Sequence, residues 1–304
     1  MSTQSNAMSE SFQAQSAPPA IIPVTRVLYW SVRRELWEYR SIYVAPLAVA
    51  AVALFAFCLS SFLGIWEAPL RLNQAHAQAP FDMAAGLMML TGIVVSVFYC
   101  LDALHGERRD RSILFWKSMP VSDATTVLAK ASIPLVILPL LIVAIALAMH
   151  WIMLLVSSAV VLASGGSVAT LWANSSFLRT SWLLLYHVLT SHALWPAPVY
   201  CWLLLVSGWS RRAPFLWAAL PVIAIGGVEQ IVFHTWHFAT LVGGRLIGAT
   251  PHVASTSPDM FPTDPMTHFM PGSFLSSPGL WIGLAIAAVF LAAAVRLRRY
   301  REPI

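Results

Sequence analysis

Charge is scarce in this chain: Asp, Glu, Lys and Arg make up 10% of its 304 residues, against 58% hydrophobic residues and a mean hydropathy of +0.72. That apolar share exceeds the roughly 45–50% of an ordinary soluble domain, which excludes a water-surrounded globule and implies lipid as the solvent. Cysteine is also rare. Cys58, Cys100 and Cys201 all lie inside apolar runs, so neither a disulfide framework nor a CxxC metal site is available. Lysine occurs only as Lys117 and Lys130, preceded by Trp116 and Ala129. A phosphate-binding loop needs G-x-x-x-x-G-K-[ST], so the chain is predicted not to hydrolyse ATP itself and is read as a non-enzyme. No repeat of fixed period is visible, and residues 24–304 are expected to form a single domain.

What is present is a succession of long apolar runs. Residues 1–23, rich in Ser, Gln, Ala and Pro, are expected to form a disordered cytoplasmic tail without the basic start of a cleavable signal. An amphipathic helix follows from Pro23 to Tyr43, with Val24, Val27, Leu28, Val32, Leu36, Tyr39 and Tyr43 at helical spacing. Its Arg26, Arg33, Arg34 and Arg40, with Trp30 and Trp37, suit the headgroup layer of a membrane. Runs of about 20 apolar residues cross a bilayer. Six are predicted, at about 44–65, 84–104, 131–163, 182–209, 214–239 and 278–295, with Pro134 and Pro139 kinking the third. The fold class is therefore all-α, with six transmembrane helices and both termini cytoplasmic.

The basic residues agree with that topology. Fifteen of the 18 Lys and Arg fall on the predicted cytoplasmic side: Arg26, Arg33, Arg34, Arg40, Arg108, Arg109, Arg111, Lys117, Lys130, Arg211, Arg212, Arg296, Arg298, Arg299 and Arg301. Only Arg71, Arg179 and Arg245 lie outside it. The pI of about 9.4 thus reflects membrane orientation, and no nucleic-acid partner is expected. Two outer segments are less regular: 165–181, read as an interfacial helix, and 240–277, which carries five prolines and is expected to pack, partly re-entrant, on the outer mouth of the bundle.

One stretch concentrates the missing charge. Between spans two and three, Glu107, Arg108, Arg109, Asp110, Arg111 and Lys117 surround Ser112 and the apolar block Ile113, Leu114, Phe115, Trp116, and Pro120 follows. This reads as a short helix outside the bilayer, with Asp110 capping its first turn, Glu107 pairing with Arg111 one turn on, and Pro120 ending it. Its apolar block has nothing of its own to pack on. It either lies on headgroups or plugs into another protein.

The order of parts, together with the loop sequence E-R-R-D-R-S-I-L-F-W-K-S-M-P-V-S, resembles the permease subunits of type-2 ABC exporters. The resemblance covers about 24–300 as architecture and Asp102 to Lys130 as motif. It implies that Glu107 to Lys117 is a coupling helix docking into a cytoplasmic ABC ATPase subunit. Phe115 and Trp116 would be the plug, Arg108, Arg109, Arg111 and Lys117 a polar rim, and Pro120 the stop. It further implies an interfacial amino-terminal connector, a second permease subunit (homo- or heterodimer), short re-entrant helices before the last span, ATP and Mg bound by the partner rather than by this chain, and residence in the cell inner membrane.

Ionisable groups within spans are candidates for function, because burying them unpaired is costly. Asp102 is expected to pair locally with the charged loop. Glu229 and Gln230, read as midway along the fifth span, with His234 and His237 beyond them, are candidate lining for a translocation path or a helix-to-helix hydrogen-bond set. No third ligand matches His234 and His237, so no metal site is assigned. A metal or haem redox protein using those two histidines, and a non-transporting scaffold or sensor, remain the alternatives to transport. His150, His187 and His192 read as packing histidines, and Gly279 and Gly283 as small-xxx-small spacing for close helix approach.

Overall fold

A computed structural model of the chain describes residues 23–63, 74–112, 121–169, 172, 177–247 and 271–300. Residues 1–22, 64–73, 113–120, 170–171, 173–176, 248–270 and 301–304 lie outside it, including part of the segment 165–181 read as an interfacial helix. With them go the tail, the apolar block of the charged loop and most of the proline-rich outer segment.

The described residues are all-helical and contain no strand. In chain order they form α1 (Val24–Glu38), α2 (Ser41–Phe62), α3 (Gln74–Ala103), α4 (His105–Arg109), α5 (Asp123–Ser132), α6 (Leu138–Ala163), α7 (Phe177–His187), α8 (Ala197–Trp209), α9 (Pro214–Phe233), α10 (His237–Ile247), α11 (Pro271–Ser276) and α12 (Pro278–Tyr300). Five helical stretches are long and apolar enough to cross a membrane, and the bent pair Ser181–Leu194 and Ala197–Trp209 makes a sixth if taken as one broken span. Large apolar side chains face outward along them, including Val52, Phe55, Ile223, Phe233, Trp281 and Val289. Such a surface is tolerable only in lipid, which makes this a multi-pass membrane architecture.

The core lies where α2, α3, α6, α8 and α12 pack together. Ile42, Met88, Cys100, Ile133, Leu138, Met149, Met153, Tyr200 and Leu204 are fully buried or nearly so. α9 stands apart: Ala218 and Gly226 are its only buried residues, and it packs against α10 as a hairpin at the edge of the bundle.

Proline chemistry explains where the helices depart from the predicted spans. Pro139 lacks an N–H and crowds the carbonyl of Leu135, and the chain absorbs this in a π-helical turn at Ile133–Ile137 that joins α5 to α6. The third span is thus continuous from Asp123 to Ala163. The fourth, predicted for 182–209, is a broken helix. A second π-turn, Val188–Leu194, runs into Trp195 and Pro196, and the axis bends by 42° there. The fifth ends earlier than predicted. His234 adopts a left-handed conformation at φ 52°, stopping α9 at Phe233, so 234–239 belongs to a turn and the start of α10. The first begins at Ser41 rather than Val44, and the last helix runs through to Tyr300.

Candidate functional site

Two places gather the chain's few polar side chains. The first is at the base of the charged loop. α3 ends at Ala103 and the chain turns into the five-residue α4, whose entry is fixed because Ser207 Oγ accepts from the amides of Leu104 and His105, at 3.1 and 2.9 Å. Arg108 reaches back to α8 and donates through Nη1 to the carbonyls of Gly208 (2.9 Å) and Ser210 (3.1 Å). Glu107 points into the protein. Its Oε1 accepts from Arg34 of α1 at 2.7 Å and lies 3.2 Å from Lys130 Nζ of α5, while Oε2 pairs with Arg298 of α12.

Glu35 extends the cluster. Its carboxylate accepts from Lys130 Nζ at 2.9 and 3.0 Å, from Arg34 Nη2 at 2.9 Å and from the Tyr99 hydroxyl at 2.9 Å. Arg298 Nε donates to Asp123 at 3.1 Å. Three cations, Arg34, Lys130 and Arg298, therefore face Glu35, Glu107 and Asp123, and the more exposed Glu38 joins Arg34 at 3.4 Å. Each buried charge has an opposite charge beside it, which is the condition for burying it: Glu35, Glu107 and Lys130 are at most 1% exposed. Burial by itself would lower the Arg34 guanidinium, but Glu35, Glu107 and Glu38 outweigh that and raise it. Burial, followed by repulsion from Glu35, lifts the Glu38 carboxyl above its usual range, against the pull of Lys130 and Arg34.

This geometry revises several sequence expectations. Glu107 does not pair with Arg111; its partners come from α1, α5 and α12. Asp110 closes α4 and pairs with Arg109 at the surface, and Arg111 turns the chain at φ 56°; the helix that Asp110 is expected to cap falls on 113–120, outside the described residues. Arg108 is 5% exposed and anchors the loop to α8, so it cannot serve as an exposed rim. Arg109, Asp110 and Arg111 remain at the surface, and Ser112 donates to the Glu107 carbonyl at 3.3 Å. Asp102 accepts from the Tyr39 hydroxyl at 3.3 Å. The described chain then breaks off ahead of Ile113, so Ile113, Leu114, Phe115, Trp116, Lys117 and Pro120 are not placed.

The ion pairs and the Arg108 bonds bring α1, α4, α5, the 208–210 turn and the end of α12 to one end of the bundle. Those are the segments whose basic residues the topology put on one side. Glu35 and Lys130 were not singled out as site residues, although signals existed. Glu35 sits on the apolar stripe of α1 with Val32, Leu36 and Tyr39, and Lys130 interrupts the apolar sequence VLAKASIPLV.

The second place is the α9–α10 turn. Glu229 Oε1 accepts from the Thr235 hydroxyl (2.9 Å) and the His237 amide (2.8 Å), and Oε2 from the Phe238 amide (2.8 Å). A carboxylate from one helix thus caps the first turn of the next, where unpaired N–H groups and the helix dipole favour negative charge. His237 Nδ1 lies 3.2 Å from the same carboxylate. Glu229 is near the end of its helix, not midway. His234 is exposed, and Gln230 Oε1 is buried without a hydrogen-bond partner among the described residues. Glu229 and His237 border an open groove of about 450 Å³ whose other walls are Ile225, Val228, Phe233, Phe238 and Leu241. Among the described residues no three His, Cys, Asp or Glu side chains gather as metal ligands. Glu229→Leu is expected to loosen α10 by about 1–2 kcal/mol, seen as faster amide exchange at His237 to Thr240, whereas Glu229→Gln retains most of the protection.

Near the same end, Arg245 of α10 spans the broken fourth segment and the last helix. It donates to the carbonyls of Trp195 (3.3 Å) and Gly279 (2.6 Å) and lies 4.5 Å over the Trp195 ring. A Cβ at Gly283 would fall 2.1 Å from Arg245 Nη1, so the glycine spacing makes room for a guanidinium rather than for a helix backbone. Gly283→Ala is expected to displace Arg245 and lower stability by about 1–3 kcal/mol. Gly279→Ala, whose new atom would meet its nearest neighbour at 3.6 Å, is expected to change the unfolding midpoint little. His150 bonds the Phe81 carbonyl at 3.1 Å, and His187 and His192 pack ring edge to face, centroids 5.7 Å apart.

The chain matches no protein-family model, and neither the curated proteins nor the solved structures searched contain a match to it.

Proposed function

We propose that the chain is the transmembrane permease subunit of an ATP-driven exporter of the type-2 ABC kind, moving substrate across the cell inner membrane with ATP hydrolysed by a separate cytoplasmic subunit. One observation carries the reading. The base of the charged loop is tied by buried ion pairs to α1, α5 and α12 and by Arg108 to α8, so a push on the loop reaches four other elements at once. A lever of this sort needs a rigid root and an apolar tip, and the sequence supplies the tip as Ile113 to Trp116. An isolated positive anchor would need no buried carboxylate at its root.

In this reading the chain pairs with a second permease subunit, and Glu229 holds the α9–α10 hairpin rather than lining the path directly. Purification of the tagged chain from its native membrane is expected to bring down an ATP-hydrolysing subunit. Recovery of the chain without any ATPase activity, in mild detergent and at low salt, would count against the reading.

A further inference from the structure

α1 presents two chemically different faces. Arg34 and Glu35 turn inward to the ion-pair cluster, and Val32 and Leu36 pack on the core beside them. On the other side, Arg26, Trp30, Arg33 and Trp37 stand at i, i+4, i+7 and i+11 and form one stripe along the helix. Trp30 and Trp37 are 49% and 65% exposed. The Arg33 guanidinium lies between them, 5.0 Å from one ring and 4.7 Å from the other, and Tyr29 packs edge-on against Trp30 at 5.6 Å. Among the described residues no carboxylate pairs with Arg26 or Arg33. The nearby acids are engaged elsewhere, Glu35 with Lys130 and Glu38 with Arg34.

We propose that this stripe is a binding site for anionic phospholipid headgroups. The chemistry is complementary: two unpaired guanidiniums about 10 Å apart along the helix meet phosphate, and the indole and phenol rings sit at the boundary between headgroups and acyl chains. The two rings hold the Arg33 guanidinium between them, and its N–H groups are available to bond phosphate oxygens. The inward ion pairs keep α1 from rolling, so the stripe stays outward. An acidic protein surface would satisfy the guanidiniums but would gain less from the exposed Trp30 and Trp37 rings. The site rests on the membrane reading of the chain and not on transport, so a missing ATPase leaves it standing.

The test uses the purified full chain in neutral detergent, following its thermal midpoint while dioleoyl phosphatidylglycerol, dioleoyl phosphatidylcholine or inorganic phosphate is added. Phosphatidylglycerol is expected to raise the midpoint by about 2–5 °C, and the other two to leave it unchanged. Arg26→Gln with Arg33→Gln should lose at least half of that rise. Arg211→Gln with Arg212→Gln, at exposed basic positions elsewhere, should keep it. If the first pair of substitutions lowers the lipid-free midpoint, bound phosphatidylglycerol is counted by native mass spectrometry instead, with a smaller count expected for that variant alone. Equal stabilisation by phosphatidylcholine or phosphate, an undiminished effect in the Arg26/Arg33 variant, or an equal effect of a polyglutamate peptide would overturn the assignment.

Discussion

Glu107→Gln is expected to lower stability by roughly 3–5 kcal/mol, the largest loss of any single substitution considered for this chain. Glutamine keeps the volume and one acceptor but removes a charge that faces Arg34, Lys130 and Arg298. The buried Lys130 and Arg298 then lose the carboxylate they share, and Arg34 keeps Glu35 and Glu38. Lys130 is completely buried and cannot turn to water, so the uncompensated charge stays where it is. The pairing predicts its own rescue. Adding Arg298→Gln removes the cation that Glu107 faced, and the double variant should unfold at a higher temperature than the sum of the single effects gives. Thermal loss of the monodisperse peak in mild detergent measures both. Strict additivity would mean that Glu107 and Arg298 do not act as a pair.

The second large effect concerns the loop's tip. If the loop docks into an ATPase subunit as proposed, Phe115→Ala with Trp116→Ala is expected to weaken that association at least roughly 100-fold, while the unfolding midpoint of the chain stays unchanged. Buried aromatic plugs each contribute about 2 kcal/mol or more at the centre of an interface. Two of them removed together exceed what the exposed Arg109 and Arg111 can supply, since surface charges guide orientation more than affinity. The midpoint should hold because the root of the loop is fixed independently, through Glu107, Arg108 and Ser207. An unchanged pull-down from the variant would place the ATPase contact elsewhere or nowhere.

The apolar runs made the spans legible, because nothing in a lipid-exposed helix competes with hydropathy as a signal. Their interruptions were harder to read. Pro139 and Pro196 have the same chemistry, yet one is absorbed in a π-turn within a continuous span while the other accompanies a 42° bend. The packing of Arg245 against Trp195 favours the second outcome, and that contact joins residues 50 positions apart. Glu229 misled for a related reason. Periodicity carried the fifth span through to 239, which placed the carboxylate mid-membrane. The left-handed turn at His234 instead converts it into a cap for the following helix.

The buried ion-pair cluster was hidden because its members are far apart in sequence. Glu107 meets Arg34 across 73 positions and Arg298 across 191. Read locally, each cation looked like a headgroup anchor, and Glu107 found its nearest opposite charge in Arg111. Only the packing of α1 and α12 against α5 reveals that the scarcest residues of the chain are spent on one another.

Sidedness of the charged loop can be read directly with cysteine accessibility. Cys58 is exposed and is replaced by Ser, while Cys100 and Cys201 are buried and can stay. Asp110→Cys, at a side chain 63% exposed, and Ser164→Cys, just past the far end of the third span, are then treated separately with a membrane-impermeant maleimide on intact cells. Position 164 should react at once and position 110 only after permeabilisation. Labelling of position 110 in intact cells would put the loop on the outer side, beyond the reach of any cytoplasmic ATPase.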